Sequence, residues 1–187
     1  DSTQQSTDVL VVGSGVAGLI AASELLRAGR SVIVVDKGRG VGGRLATRRI
    51  EGATFDHGAQ GFTTGDSRCY PVGLSNRLGG AVAEWMQGAA QRTQGIAHWR
   101  GVPCMSGVAK HLALGIDVQL ETTLVDLRAE AQCWVATTLS RGTITARAVI
   151  LTPPVPQSLV LLDAGGVFLS SGLRQRLDAI QYDDASR

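Results

Sequence analysis

The residues of this chain best suited to chemistry are glycines. Gly13-Ser14-Gly15-Val16-Ala17-Gly18 spells G-x-G-x-x-G, and an acid, Asp36, stands 18 residues after Gly18. That pattern serves an adenine dinucleotide when the glycines join a strand to a helix and the acid ends the next strand. Gly13 would make the tight turn, Gly15 would bring bare backbone up to the pyrophosphate, and Gly18 would let the helix lie close on the strand. The start of the helix, with Val16 and Ala17, adds free N–H groups and the positive end of its dipole. Asp36 would accept hydrogen bonds from the adenosine ribose and repel the extra phosphate of NADP. The pattern does not choose between NAD and FAD, since both carry ADP.

A second set of glycines follows in "DKGRGVGGRLATRR", where Gly42, Gly43 and Arg44 stand six to eight residues beyond Asp36. An arginine there presents fixed donors to a pyrophosphate, and glycines beside it allow close approach. Lys37 adds to the positive field near the phosphates. Arg39, Arg48 and Arg49 read as solvated loop charges. No Ser/His/Asp set, paired carboxylates or metal-ligand spacing accompanies these glycines. Cys69, Cys104 and Cys133 lack any CxxC or Cys/His spacing, so neither a zinc site nor a disulfide framework is suggested.

The elements that must hold these residues are legible around them. Val9 to Val12 reads as a buried strand, Val16 to Ala28 as a helix stopped by Gly29, and Ser31 to Val35 as a second buried strand, together a βαβ unit. Arg48 to Phe55 and Gly58 to Thr63 read as short strands. Leu74 to Gln91 has helical spacing broken by glycines, and Pro103 to Gly115 reads as a helix capped near Ser106. Ile116 to Leu151 alternates as three or four strands with a turn at Arg141-Gly142, and a helix over Pro156 to Leu162 follows Thr152-Pro153-Pro154. The implied fold is α/β, with a parallel sheet and an added antiparallel sheet.

At 187 residues, 44% hydrophobic and 18% charged, the chain has an ordinary globular composition with a real core. Its net charge of +2 does not call for nucleic acid or an anionic membrane as partner. No apolar run approaches the roughly 20 residues of a membrane helix, and the polar start reads as a loose tail over residues 1–7 rather than a signal peptide. Reduced thiols and the absence of a leader fit the cytoplasm.

With these elements in place, the runs "DKGRGVGGRLATRR", "FDHGAQGFT", "HWRGVPCMSGVAKHLA" and "VILTPPVPQ" together resemble the renalase-like bacterial NAD/FAD-dependent oxidoreductases of the FAD-dependent amine oxidase superfamily. The resemblance runs from about Asp8 to the end of the chain. It implies a Rossmann-type, glutathione-reductase-like FAD-binding domain over residues 1–65 and 99–165, with residues 66–98 and 166–187 as parts of a substrate domain. It implies FAD held by Gly13 to Gly18, Asp36 and Arg44, with backbone at Gly58, Ala59 and Gln60 beside the flavin, Leu124 reading adenine through its backbone, and Thr152 on a strand end near the cofactor.

The resemblance further implies hydride transfer from a small reduced substrate, a dihydronicotinamide nucleotide or an amine, with oxygen as final acceptor. His57 takes the variable position of its motif and reads as a turn residue. Trp85 and Trp99 fit either a flavin pocket or plain packing, and His98 and His111 read as surface positions. Cys104 stands where the family carries glycine. The family's C-terminal Gly-Asp segment is not found, which suggests an N-terminal half. The sequence leaves catalytic residues and oligomeric state unassigned. It keeps two alternatives open: a noncatalytic FAD- or ADP-binding fragment, and an NAD-dependent dehydrogenase, which accounts for the first 36 residues only.

Overall fold

A computed structural model describes residues 4–63, 78–85 and 98–182. Its frame is a six-stranded sheet in the order β8-β2-β1-β11-β10-β9. The members are β1 (Gln4–Val12), β2 (Val32–Val35), β8 (Asp117–Gln119), β9 (Leu124–Ala129), β10 (Trp134–Thr138) and β11 (Thr143–Leu151). β8, β2, β1 and β11 run parallel. β10 and β9 continue the same sheet antiparallel to β11, so this antiparallel extension belongs to the main sheet.

Strand alternation explains why the parallel strands read as unbroken apolar runs. Val9, Val11, Val32 and Val34 face one side, with Ala22 and Leu25 of α1 (Val16–Arg27) packed on them. Leu10, Val12, Ile33 and Val35 face the other, with Leu127, Ala136, Ile144 and Leu161, the last from α3 (Val155–Ala164). Both faces are covered, so both sets of side chains are apolar. α2 (Met105–Leu112) lies beside α1, and Leu19, Met105, Val108 and Ala109 form a third buried cluster between them.

Two small antiparallel sheets stand apart from the frame. β3 (Thr47–Ile50) and β4 (Ala53–Asp56) form a hairpin, and β5 (Phe62–Thr63), β7 (His98–Gly101) and β6 (Val82–Glu84) form a three-stranded sheet. A fourth helix, α4 (Ser171–Asp178), is tied to α3 by Arg174, which bonds Asp163 at 2.6 Å.

Several expectations need correction. Gln4 to Thr7 are not a loose tail: they pair in register with Thr143 to Ala146 of β11. Backbone pairing does not require apolar side chains, so a polar run joins the ladder where a long neighbour offers partners. Within Leu74 to Gln91, the described part includes strand β6 rather than helix, and the rest lies outside the described residues. Only Phe62 and Thr63 of the expected strand Gly58 to Thr63 pair as strand.

The helix expected from Pro103 starts at Met105 and is capped by residues distant in sequence rather than by Ser106. Asp56 accepts the Met105 N–H at 3.1 and 3.2 Å through its two oxygens, and Thr47 Oγ1 accepts the Ser106 N–H at 3.0 Å. Thr47 in turn donates to Asp56 at 2.5 Å. The β3–β4 hairpin thus supplies the N-terminal cap of α2.

Candidate functional site

The glycine turn sits at the carboxyl end of β1, where open parallel sheets place their ligands. Gly13 has φ +101°, reachable at little cost only by glycine, and a Cβ there would run into the Thr152 hydroxyl. Gly18 packs so closely on the Gly13 carbonyl that a Cβ would overlap it. Gly15 differs: the position of its Cβ has no atom within 4 Å. It is the N-cap of α1, with no side-chain cap and no acid in the first turn. A bare backbone position, open space and an uncapped helix start are what a phosphate group requires. Val16 and Ala17 are exposed on this opening.

Asp36 lies beside the turn, half-buried at the end of β2. The Ser14 N–H and the Ser14 hydroxyl donate to its Oδ2 at 2.6 and 2.7 Å, and the Gly38 N–H donates to Oδ1 at 2.7 Å. The segment leading to Leu124 is tied to the same place: the Thr122 N–H donates to the Asp36 carbonyl at 2.8 Å and the Glu121 N–H to the Gly38 carbonyl at 2.9 Å. Leu124 itself is buried at the start of β9. Asp36 and the segment leading to Leu124 therefore share one end of the sheet.

The second glycine set lies directly on the first. The Gly42 N–H donates to the Ser14 carbonyl at 2.9 Å, and Gly42 bridges Gly15 in parallel. Gly42 (φ +120°) and Gly43 (φ +52°) allow the chain to turn there. A third segment joins at Arg44, whose carbonyl accepts the Ala59 N–H at 2.8 Å and leaves no room for a Cβ on Gly58. The Arg44 side chain is exposed, with no hydrogen bond or ion pair to the described residues. Hydrogen bonds thus connect the helix start, the Gly42–Arg44 turn and Gly58–Ala59 in that order.

Beyond Ala59 the backbone leads into a cleft of about 340 Å³. Gln60, Phe62, Thr63, Trp85, His98 and Trp99 line it together with Gly61, and no carboxylate is among these residues. Phe62 pairs with Trp99 across β5 and β7, and the Trp85 N–H donates to the His98 carbonyl at 2.7 Å. Gly61 lies against the indole of Trp85: a Cβ there would stand 3.1 Å from Cε3. Both tryptophans border the cleft.

The remaining expected positions fall elsewhere or act as supports. Lys37 donates to Gln157 of α3 at 3.3 Å. The Thr152 hydroxyl donates to the Val12 carbonyl at 2.8 Å and braces the turn from behind. His57 is exposed, His98 is exposed and borders the cleft, and His111 is half-buried in α2. Cys104 has extended backbone (φ −158°), so the position does not require glycine. Its thiol points inward to Ser106 at 3.4 Å. Burial opposes its ionisation, but the Ser106 and Thr47 hydroxyls and the Gly107 N–H outweigh that and hold its pKa below the ordinary thiol value.

Ser14 belongs to the expected Gly13–Gly18 turn, but the bond from its buried hydroxyl to Asp36 has no signal in the pattern, since many residues fit that position. Phe62 and Thr63 reach the cleft through strand pairing, which no local pattern announces.

The fold and this turn define a Rossmann-type dinucleotide-binding domain, and comparison with known proteins agrees. Residues 11–70 match the family of NAD(P)-binding Rossmann-like domains. A flavin-containing monoamine oxidase of Mycobacterium tuberculosis is 42% identical over 74 residues, which are 40% of this chain and 16% of that protein. Putrescine oxidase of Kocuria rosea is 47% identical over 53 residues, 28% of this chain and 11% of that protein. In solved structures, a cysteine variant of putrescine oxidase superposes with a TM-score of 0.77 at 16% identity, covering 94% of this chain and 64% of the other. The fold resembles that of the putrescine oxidase structure, and the chain spans only part of the length of these relatives. No helix among the described residues is long and apolar enough to cross a membrane.

Proposed function

We propose that this chain is the FAD-binding part of a flavin-dependent oxidoreductase whose substrate is a reduced dihydronicotinamide-type compound, as in the renalase-like branch. The observation that supports it best is the hydrogen-bonded series from the glycine turn through Gly42–Arg44 to Gly58–Ala59, which ends at the aromatic cleft. ADP alone would use only the first of these segments. An NAD-dependent dehydrogenase would leave the Gly42–Arg44 turn without a ligand to meet. On this reading residues 1–65 and 99–165 form the nucleotide part, while residues 66–98 and 166–187 lead toward a substrate domain.

FAD, when bound, would supply the redox chemistry, as acceptor of a hydride from the reduced substrate and, with a proton from solvent, as the route by which oxygen is reduced to hydrogen peroxide. The chain's own residues bind and orient. The α1 N-terminus and Arg44 hold the pyrophosphate, Asp36 accepts from the ribose, the backbone around Leu124 meets the adenine, and the backbone from Gly58 to Gln60 lies at the flavin end. Phe62, Trp85 and Trp99 border the cleft, and no carboxylate is among its described lining residues to neutralise an ammonium, which favours a flat ring over an aliphatic amine. Cation–π contact with the same rings is the counterargument for an amine, and the named relatives are amine oxidases.

The test is direct. Chain equilibrated with FAD and freed of excess by gel filtration should stay yellow, and a dihydronicotinamide should bleach it without oxygen. Bleaching by a diamine alone would move the substrate to the amine class. A colourless chain that binds ADP would support the noncatalytic fragment, and one that takes NAD but no flavin would support the dehydrogenase. Arg44→Ala should lower flavin affinity about tenfold or more, the worth of a charge-assisted contact to phosphate; undiminished flavin content would remove Arg44 from the site.

A further inference from the structure

We propose that Ser14 is a positioning residue that restricts Asp36 to one ribose hydroxyl of the bound nucleotide. The inference rests on the dinucleotide reading of the site and sharpens it. A carboxylate has about four lone-pair directions for hydrogen bonds, two on each oxygen. In Asp36 the protein itself fills most of them. Oδ2 accepts both the Ser14 N–H and the Ser14 hydroxyl, and Oδ1 accepts the Gly38 N–H. One acceptor direction remains, on Oδ1.

Ser14 is built to hold this arrangement. Its side chain is fully buried, so the hydroxyl is out of a ligand's reach. Its carbonyl accepts the Gly42 N–H at 2.9 Å, which fixes the residue between the two glycine segments. The carboxylate has little freedom to turn, because its two oxygens are held from opposite sides by the turn and by Gly38. A ribose offers two vicinal hydroxyls. An acid with both oxygens free would take both, whereas Asp36 as held takes one and leaves the other to water or to another group.

The assay is calorimetric titration of the whole chain with ADP, 2′-deoxy-ADP and 3′-deoxy-ADP. In the wild type, one deoxy analogue should bind about tenfold more weakly than ADP and the other within twofold, since only one hydroxyl meets the charged acceptor. In Ser14→Ala, Oδ2 loses one of its two restraints and the carboxylate is free to turn toward the ligand, so the previously silent analogue should now bind at least fivefold more weakly than ADP does to that variant, a threshold set by about the worth of one such bond. Equal losses for both analogues in the wild type, or no loss for either, would overturn the proposal, as would an unchanged pattern in the variant. The wild-type pair decides the matter even where Ser14→Ala fails to fold. The outcomes also separate the two levels: ADP binding with the wrong analogue pattern overturns only the role of Ser14, and no ADP binding at all overturns the dinucleotide reading beneath it.

Discussion

Gly15→Ala should separate folding from binding at the glycine turn. The backbone there has φ −73° and ψ 179°, which alanine adopts without strain, and its new methyl would meet no atom within 4 Å. Two small effects on stability oppose each other. Alanine narrows the unfolded ensemble, worth about 0.4–1 kcal/mol in favour. It is also a poorer N-cap than glycine, which costs about 0.5–1 kcal/mol. The net is close to zero, so the melting temperature should stay within about 2 °C of the wild type.

Binding should not be spared if phosphate is held at the α1 start, because the methyl adds bulk to the open space at its N-cap. Holding a phosphate off two of the α1 N–H donors forfeits charge-assisted bonds of about 1.5 kcal/mol each, or roughly a hundredfold in affinity. Calorimetric titration with ADP and FAD, run beside thermal unfolding, measures both. Gly18→Ala is the contrast, since its Cβ overlaps the Gly13 carbonyl and has no room to move. That variant should lose about 1–3 kcal/mol of stability. If Gly15→Ala binds ADP within threefold of the wild type, the phosphates do not lie against Gly15 and the placement argued for the dinucleotide fails.

Three further outcomes follow from other parts of the chain. Glu51 and Gly52 form the two-residue turn of the β3–β4 hairpin with φ +48° and +82°, a conformation that suits Asn-Gly and strains glutamate. Glu51→Asn should therefore raise stability by about 1 kcal/mol, seen as a rise of about 2–4 °C in melting temperature. Asp56→Ala removes the cap of α2 and should cost about 1–2 kcal/mol; a loss too small to measure in denaturant melts would mean that the cap carries no weight. Asp8 is held below its ordinary carboxylate value by the Ser31 backbone N–H first and the Ser31 hydroxyl second, with Arg147 and Arg30 adding to the effect. Its contribution is complete above the unfolded value near 3.9 and fades as pH falls through the lowered folded value, because the unfolded chain binds the proton first. Asp8→Asn should flatten the fall in stability below about pH 4, and an unchanged acid limb would contradict this account.

How much of this was legible in the sequence depended on the span of chain that carried each feature. The β1–turn–α1–β2 unit could be read because Gly13, Gly15, Gly18 and Asp36 declare their roles through local spacing, and Gly13 and Gly18 pack as that reading requires. Features made by distant pairs could not be read. The cap of α2 comes from Asp56 across 49 residues of chain, while the local pattern points only to Ser106. Gln4 to Thr7 showed no strand pattern because their place depends on β11, some 140 residues away, rather than on their own side chains.

The cleft belongs to the same class. Phe62 and Trp99 carry no shared motif, and only the pairing of β5 with β7 sets them side by side. That difference bears on function. A nucleotide is gripped mostly by backbone at a turn, which leaves glycines as its signature, whereas a substrate is chosen by side chains that strand pairing gathers from separate segments. The glycine turn is legible in the spacing of its residues, while the aromatic cleft depends on the register of Phe62 against Trp99 and on the indole of Trp85 resting on Gly61.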